Sequence, residues 1–189
     1  MEDMLSNRIK KAGLMTNHKG GECKMNITVI VIELVIFCAV FLVLVTGMML
    51  ISPLTFVSDY PPEIQAEYYR SQHKEAAKER LTTLMIVKKV VAIIIYLFLF
   101  AWMIHIAGAK SFRQGVLLAY FYMLVWFAWD TFFIDWVLFP NIKRFRLPGT
   151  EHMDKEYRQK WFHVKVCFPV IPIAAVMGLL CAGIMVWIW

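Results

Sequence analysis

The stretch WFAWDTFFIDWVLFPNIKRFRLPGTEH, Trp126 to His152, decides how the rest of the chain is read. Its first half is sequence suited to hydrocarbon, yet it carries two aspartates, Asp130 and Asp135. Its second half turns at once to a basic cluster, Lys143, Arg144 and Arg146, and then to Pro148-Gly149. A carboxylate at membrane depth costs free energy and needs either a partner or a task. The apolar half therefore reads as the end of a membrane span, and the basic half as its exit into water.

Three further runs match it. With Val116–Phe139 taken as the third, Ile27–Ile51, Leu84–Ala107 and Val166–Trp189 are each continuous, apolar and long enough to cross a bilayer, which takes about 20 residues. At 60% hydrophobic residues the chain lies outside the range of ordinary soluble domains. Continuous rather than alternating apolar runs exclude a transmembrane barrel. The expected fold is all-α: a polytopic membrane protein, a four-transmembrane-helix bundle over residues 26–189 with amphipathic or polar helical loop extensions. The formal charge of +6 does not imply nucleic acid, because the basic residues gather at the edges of the spans. The expected partners are the lipid bilayer, a lipid-like ligand, and a homo-oligomer or larger membrane complex.

Residues 1–25 are polar, basic and aperiodic. They read as a disordered tail or as a misassigned leader. Lys19-Gly20-Gly21 can be encoded by a purine-rich ribosome-binding sequence, and Met25 would then open the first span. The four cysteines, Cys23, Cys38, Cys167 and Cys181, have neither CxxC nor metal-ligand spacing. Cys38 and Cys181 read as small packing residues.

Orientation follows from counting lysines and arginines. Loops 52–83 and 140–165, with Lys88 and Lys89, carry thirteen; the tail and the hairpin after the second span carry seven. The positive-inside rule then makes both loops cytoplasmic and puts both termini outside, in the cell membrane.

Each ionisable residue in or near a span has a bland reading and a functional one. Glu33 lies about 9 Å into the first span, where burial can hold it neutral or His105, on the same membrane side, can form a relay pair with it. Asp130 falls about 15 Å from its span's cytoplasmic end, near mid-bilayer, and Asp135 about half as deep. On an α-helix the two diverge by about 140°, so they would not share one small site. One is expected to face the interior and the other, Asp135, to meet Arg144 or Arg146, with Thr131 on its face. Trp126 and Trp129, in a span crowded with rings, can line a lipid-like pocket or lie among packing aromatics.

Loop one has proline at the start of a helix, Pro61-Pro62, with Ser58 or Asp59 as cap. From Glu63 to Arg80 its apolar positions are few, Ile64, Tyr68 and Ala76, so it reads as a solvated extension of the second span. In loop three, Thr150 can cap a helix from Glu151 supported by three acid-first i,i+4 pairs: Glu151–Lys155, Asp154–Arg158 and Glu156–Lys160. That helix would align His152, Glu156, Gln159 and His163 within about 60° of arc, a weak metal-ligand signal. A solvated polar face is the plainer account, and no metal is assigned. Pro169 and Pro172 predict a kink or restart in the fourth span.

No nucleotide loop, HExxH, GxSxG or paired zinc motif occurs, so the sequence names neither a reaction nor a cofactor. The broadest reading is an accessory membrane subunit. The more specific one is a membrane-embedded enzyme acting on a lipid or isoprenoid-like substrate. Asp130 would then be its acid/base, Asp135, His152 and His163 further catalytic candidates, and Arg144, Arg146, Trp126 and Trp129 the substrate-binding set. A third is a proton-linked carrier or channel, acting as a homo-oligomer, using Asp130 and the Glu33–His105 pair. The enzyme reading predicts a pocket with Asp130 and loop-three residues on its wall. The carrier reading predicts a polar path from Glu33 to Asp130.

Overall fold

The structure, a computed structural model, describes residues 25–73 and 83–189; the expectations for the leading tail and for residues 74–82 lie outside them. Seven α-helices of four or more residues are described: α1 (Ile27–Ile51), α2 (Pro62–Ser71), α3 (Thr83–Ile106), α4 (Phe112–Trp129), α5 (Asp154–Tyr157), α6 (Lys160–Cys167) and α7 (Val170–Ile188); α4 runs on through a π-helix, Asp130–Leu138, and a last turn, Phe139–Asn141, and short 3-10 turns lie at Pro53–Asp59 and Lys143–Phe145. Among the described residues, four helical stretches are long and apolar enough to cross a membrane: Ile27–Ile51, Ile86–Ile106, Phe112–Asn141 and Val170–Ile188. The third is longer than expected because helix continues past Trp129 as far as Asn141.

Local chemistry sets the helix ends. Asn26 caps α1, its side-chain oxygen accepting from the backbone N–H of Thr28 (3.1 Å) and Val29 (3.3 Å), while its own N–H bonds the Ala107 carbonyl at the end of α3. Gly108, at φ +90°, ends α3 in the left-handed region that glycine enters without strain. Ser111 then caps α4 by accepting from the Gln114 N–H, and the Gln114 side chain accepts in return from the Lys110 N–H.

Helices α4 and α7 pack most closely, because their facing sides are built of small residues. Ala174, Gly178, Cys181 and Ala182 are buried on α7, opposite Gly115 and Ala119 of α4. A Cβ at Gly178 would stand 3.3 Å from the Val116 carbonyl oxygen, so the backbones meet almost directly. Such spacing lets the two backbones approach closely and maximises van der Waals contact between them. Phe100, Ala101 and Ile104 of α3, with Ala107 just after it, complete this core. Helix α1 adds Ile30 and Cys38 but leaves Val31, Val35 and Val43 more than half exposed, an apolar face without a protein neighbour among the described residues.

The two loops fold onto each other. Ile64 and Tyr68, one turn apart on α2, are buried against Tyr60, Phe139, Phe145, Leu147 and Tyr157. Loop one through α2 is therefore docked, not a solvated extension. The Tyr60 hydroxyl donates to the Phe145 carbonyl, and burial beside Tyr157 and Asp59 pushes its pKa up. The Tyr157 hydroxyl accepts from the Leu147 N–H (2.9 Å) and pairs with the Thr150 hydroxyl (2.7 Å). Thr150 is thus fully buried and donates to Leu147 rather than capping a helix. The expected continuous helix from Glu151 breaks into α5 and α6 around Arg158–Gln159, so its three i,i+4 pairs do not form as a ladder. Asp154 instead pairs with Arg146, whose guanidinium also donates to the Glu151 carbonyl and lies 5.1 Å from the Tyr157 ring centre. The restart expected from the prolines is present: α7 begins directly after Pro169, and Pro172 falls in its first turn.

Candidate functional site

The site begins with a change of helix type. From Asp130 to Leu138 the third apolar helix winds as a π-helix, in which the N–H of residue i+5 bonds the carbonyl of residue i; that of Phe139 bonds Ile134. Pro140 ends it. Proline has no N–H to continue the ladder, and its ring clashes with the carbonyl four residues back, a clash that a wider turn relieves. The Asn141 side chain donates to the Val137 carbonyl (2.7 Å), which satisfies one acceptor left by the break.

This widening overturns the α-helical geometry expected for the two aspartates. On the wider π-helical turn, residues five apart fall much nearer to one face than on an α-helix, and Asp130 and Asp135 both reach the wall of one cavity of about 460 Å³. Asp135 does not meet Arg144 or Arg146. Its Oδ2 lies 3.1 Å from His163 Nδ1. Arg146 is taken up by Asp154, and Arg144 is exposed on the loop, so neither guanidinium lines the cavity. Thr131 likewise bonds Cys167 (2.9 Å) rather than Asp135. With the Trp136 indole N–H donating to the Lys160 carbonyl (3.1 Å), these contacts lay α6 along the π-helical turns.

The cavity lies where the ends of α1, α4 and α6 meet the loop-one 3-10 turn. Phe41, Val45 and Met49 come from α1, Tyr96 from α3, Phe127 from α4, and Phe162, Val166 and Cys167 from the α6 side. Ser58, Asp59 and Tyr60 close it from loop one. Asp59, which accepts from the Ser58 hydroxyl (3.2 Å), thus brings a third carboxylate to the wall. The sequence offered Asp59 only as a helix cap; nothing in its spacing pointed eighty residues ahead.

His163 is the most constrained polar group here. Its side chain is 8% exposed, its Nδ1 engages Asp135, and its Nε2 is buried with no hydrogen-bond partner among the described residues. In the neutral ring, an Nδ1–H given to the carboxylate leaves a lone pair on Nε2. A buried acceptor left unmatched costs about 1–3 kcal/mol.

The other candidates fall elsewhere. His152 is exposed in a turn before α5, so the expected arc of His152, Glu156, Gln159 and His163 does not form. Among the described residues, no group of three His, Cys, Asp or Glu side chains is arranged to hold a metal ion. Trp126 does not line the cavity. It sits in an aromatic layer with Phe37, Phe41, Tyr96, Phe100 and Phe127, and Trp129 stacks on Phe133 at 4.4 Å. Glu33 accepts from the Tyr122 hydroxyl (2.5 Å), while His105 stacks on Trp189 with ring centres 4.8 Å apart. The relay pair is thus not brought together. On α4, Trp126 lies one turn from Tyr122 and one turn from Asp130, so aromatic rings stand where a polar path to Glu33 would run.

No family model matches the chain, nor does any curated protein or solved structure, so the site has to be read from its own chemistry.

Proposed function

We propose that the chain is a membrane-embedded enzyme acting by general acid–base chemistry on the polar end of a lipid or isoprenoid-like substrate. In this reading the four long helices form a bundle in the membrane, with loops 52–83 and 140–165 on the cytoplasmic side. The observation that carries it is the meeting of Asp130 and the Asp135–His163 pair on the wall of one largely apolar cavity. His163 takes a proton from the substrate head. Asp135 holds the ring and stabilises the imidazolium that forms. Asp130, on the same wall, exchanges the second proton. The hydrocarbon body lies along Phe41, Val45, Val166 and Val170, which also keep bulk water from the reacting groups.

A proton-linked carrier is less well supported, because the aromatic layer around Trp126 separates Glu33 from Asp130. An accessory subunit would need neither a cavity nor an unmatched buried imidazole. The test is mass spectrometry of membrane lipid extract incubated with the protein in nanodiscs. We expect one lipid class to be consumed by wild type and spared by His163→Ala. Identical lipid profiles with wild type, variant and empty nanodiscs would remove the enzyme reading.

A further inference from the structure

The outer side of loop three brings positive charge and exposed rings together. Where the helix breaks at Arg158–Gln159, an open groove of about 450 Å³ forms, lined by Arg158, Gln159, Lys160, Trp161, Phe162 and Lys165. Among the described residues no carboxylate lines it, and Arg158, Lys160 and Lys165 make no ion pair. Asp154, the carboxylate whose pKa Arg158 helps to lower, is bound by Arg146. Lys160 is held in place: its carbonyl accepts from the Trp136 indole (3.1 Å), and its ammonium lies 5.3 Å from a ring centre of that residue. On α6, His163 and Cys167 turn inward to Asp135 and Thr131. Trp161, Lys165 and the following Phe168, at i, i+4 and i+7, therefore share the outward face. Trp161 is 74% and Phe168 65% exposed. Large rings left open beside lysines suit the head-group level of a bilayer, which accommodates both an amphipathic ring and a charge.

The position along the chain agrees. Only Phe168 and Pro169 separate α6 from α7, which is long and apolar enough to cross a membrane. Lys165 stands five residues before α7, about 7–8 Å along a helix, and the head-group layer extends about 5–8 Å beyond the hydrocarbon on each side. We infer that this groove binds the head group of an anionic phospholipid, its phosphate among Arg158, Lys160 and Lys165 and its upper acyl chains against Trp161 and Phe168. A zwitterionic lipid would bring its own ammonium against these cations, whereas an anionic one brings only negative charge. The inference goes beyond the enzyme reading: it rests on α7 crossing the membrane and not on the cavity.

The test is lipid binding to the full chain in dodecyl maltoside micelles, read by native mass spectrometry, with dioleoyl phosphatidylglycerol and dioleoyl phosphatidylcholine as probes. Phosphatidylglycerol should bind at least tenfold more tightly than phosphatidylcholine. Arg158→Gln combined with Lys165→Gln should reduce that preference to less than about threefold. Lys88→Gln combined with Lys89→Gln, which removes the same charge at the edge of another span, should leave it intact. Equal binding of the two lipids by wild type would overturn the inference. So would a preference that survives in the Arg158 and Lys165 variant, or one lost equally in the Lys88 and Lys89 variant, which would mark attraction to net charge rather than a site. Displacement of bound phosphatidylglycerol by equimolar glycerol phosphate would also overturn it, by showing a site for a free phosphate ester. Arg158 and Lys165 do not line the cavity, so failure here leaves the His163-dependent lipid assay to be judged on its own result.

Discussion

Asp130 and Asp135 lie five residues apart on a π-helical stretch, and both carboxylates therefore reach the same cavity wall. On an α-helix they would point to different sides. π-Helices are rare, usually a single turn, and recur at functional sites. Here nine residues carry one, from Asp130 to Leu138, and it turns two separate acids into neighbours.

If His163 and Asp135 act as a unit, their losses should not add. His163→Ala and Asp135→Asn should each lower lipid turnover about 10²- to 10⁴-fold, the range of general acid–base contributions. The double variant should be no slower than His163→Ala alone. A double loss equal to the product of the single losses would show that the two residues act independently.

The docking of loop three on α2 depends on Gly149. It sits at φ +86°, and a Cβ there would stand 2.3 Å from Ser71 Oγ and 2.7 Å from Ser71 Cβ. Strain and clash together should cost about 1–3 kcal/mol in Gly149→Ala. Thermal unfolding in detergent should show a drop of several degrees. An unchanged midpoint would mean that the loops do not meet as described.

Tyr157→Phe keeps the ring but removes the hydroxyl that accepts from Leu147 N–H and pairs with Thr150. A buried backbone donor is then unmatched, at a cost of about 1–3 kcal/mol. Reduced unfolding temperature, with faster amide exchange at Leu147, is the expected outcome. Wild-type exchange at Leu147 would contradict it.

Asp154 gives a pH signature. The hydrogen bond from Arg146, with its positive charge, holds this carboxyl below the usual carboxylate range. Its stabilising contribution is therefore complete above the unfolded-state pKa of about 3.9 and is lost as pH falls through the lower folded-state value. Asp154→Asn should melt slightly below wild type at pH 6, and the two curves should converge in strong acid. Because Asp154 is exposed, the gap should be small. A gap that persists undiminished in strong acid would exclude the ion pair as its cause.

The four apolar helices were legible because an unbroken run of about 20 apolar residues matches the thickness of a bilayer and exceeds what a soluble core usually buries. Asp130 stood out for the same reason, as charge within such a run. The cavity was not legible. Reading Asp130 and Asp135 at α-helical pitch separated them, and the wider pitch depends on Pro140 and on contacts with α6 that spacing does not reveal. His163 was a candidate, but on a continuous helix that instead breaks near Gln159 to let Tyr157 bury its ring. Ile64 and Tyr68 were visible as an apolar pair. Their partners Phe145, Leu147 and Tyr157 lie about eighty residues further on, so the docking of the loops left no local trace.

The central claim is that Asp130 and Asp135 line one cavity, and carbodiimide footprinting tests it most directly. The protein in native membranes is treated with dicyclohexylcarbodiimide, which adds to carboxyl groups in apolar surroundings, and labelling at each aspartate is read by peptide mass spectrometry. Val45→Trp, which fills the cavity from the α1 wall, is treated in parallel. The shared cavity predicts that labelling of Asp130 and Asp135 falls together in the filled variant. Loss at one aspartate with undiminished labelling at the other would return them to opposite sides of an α-helix and contradict the account.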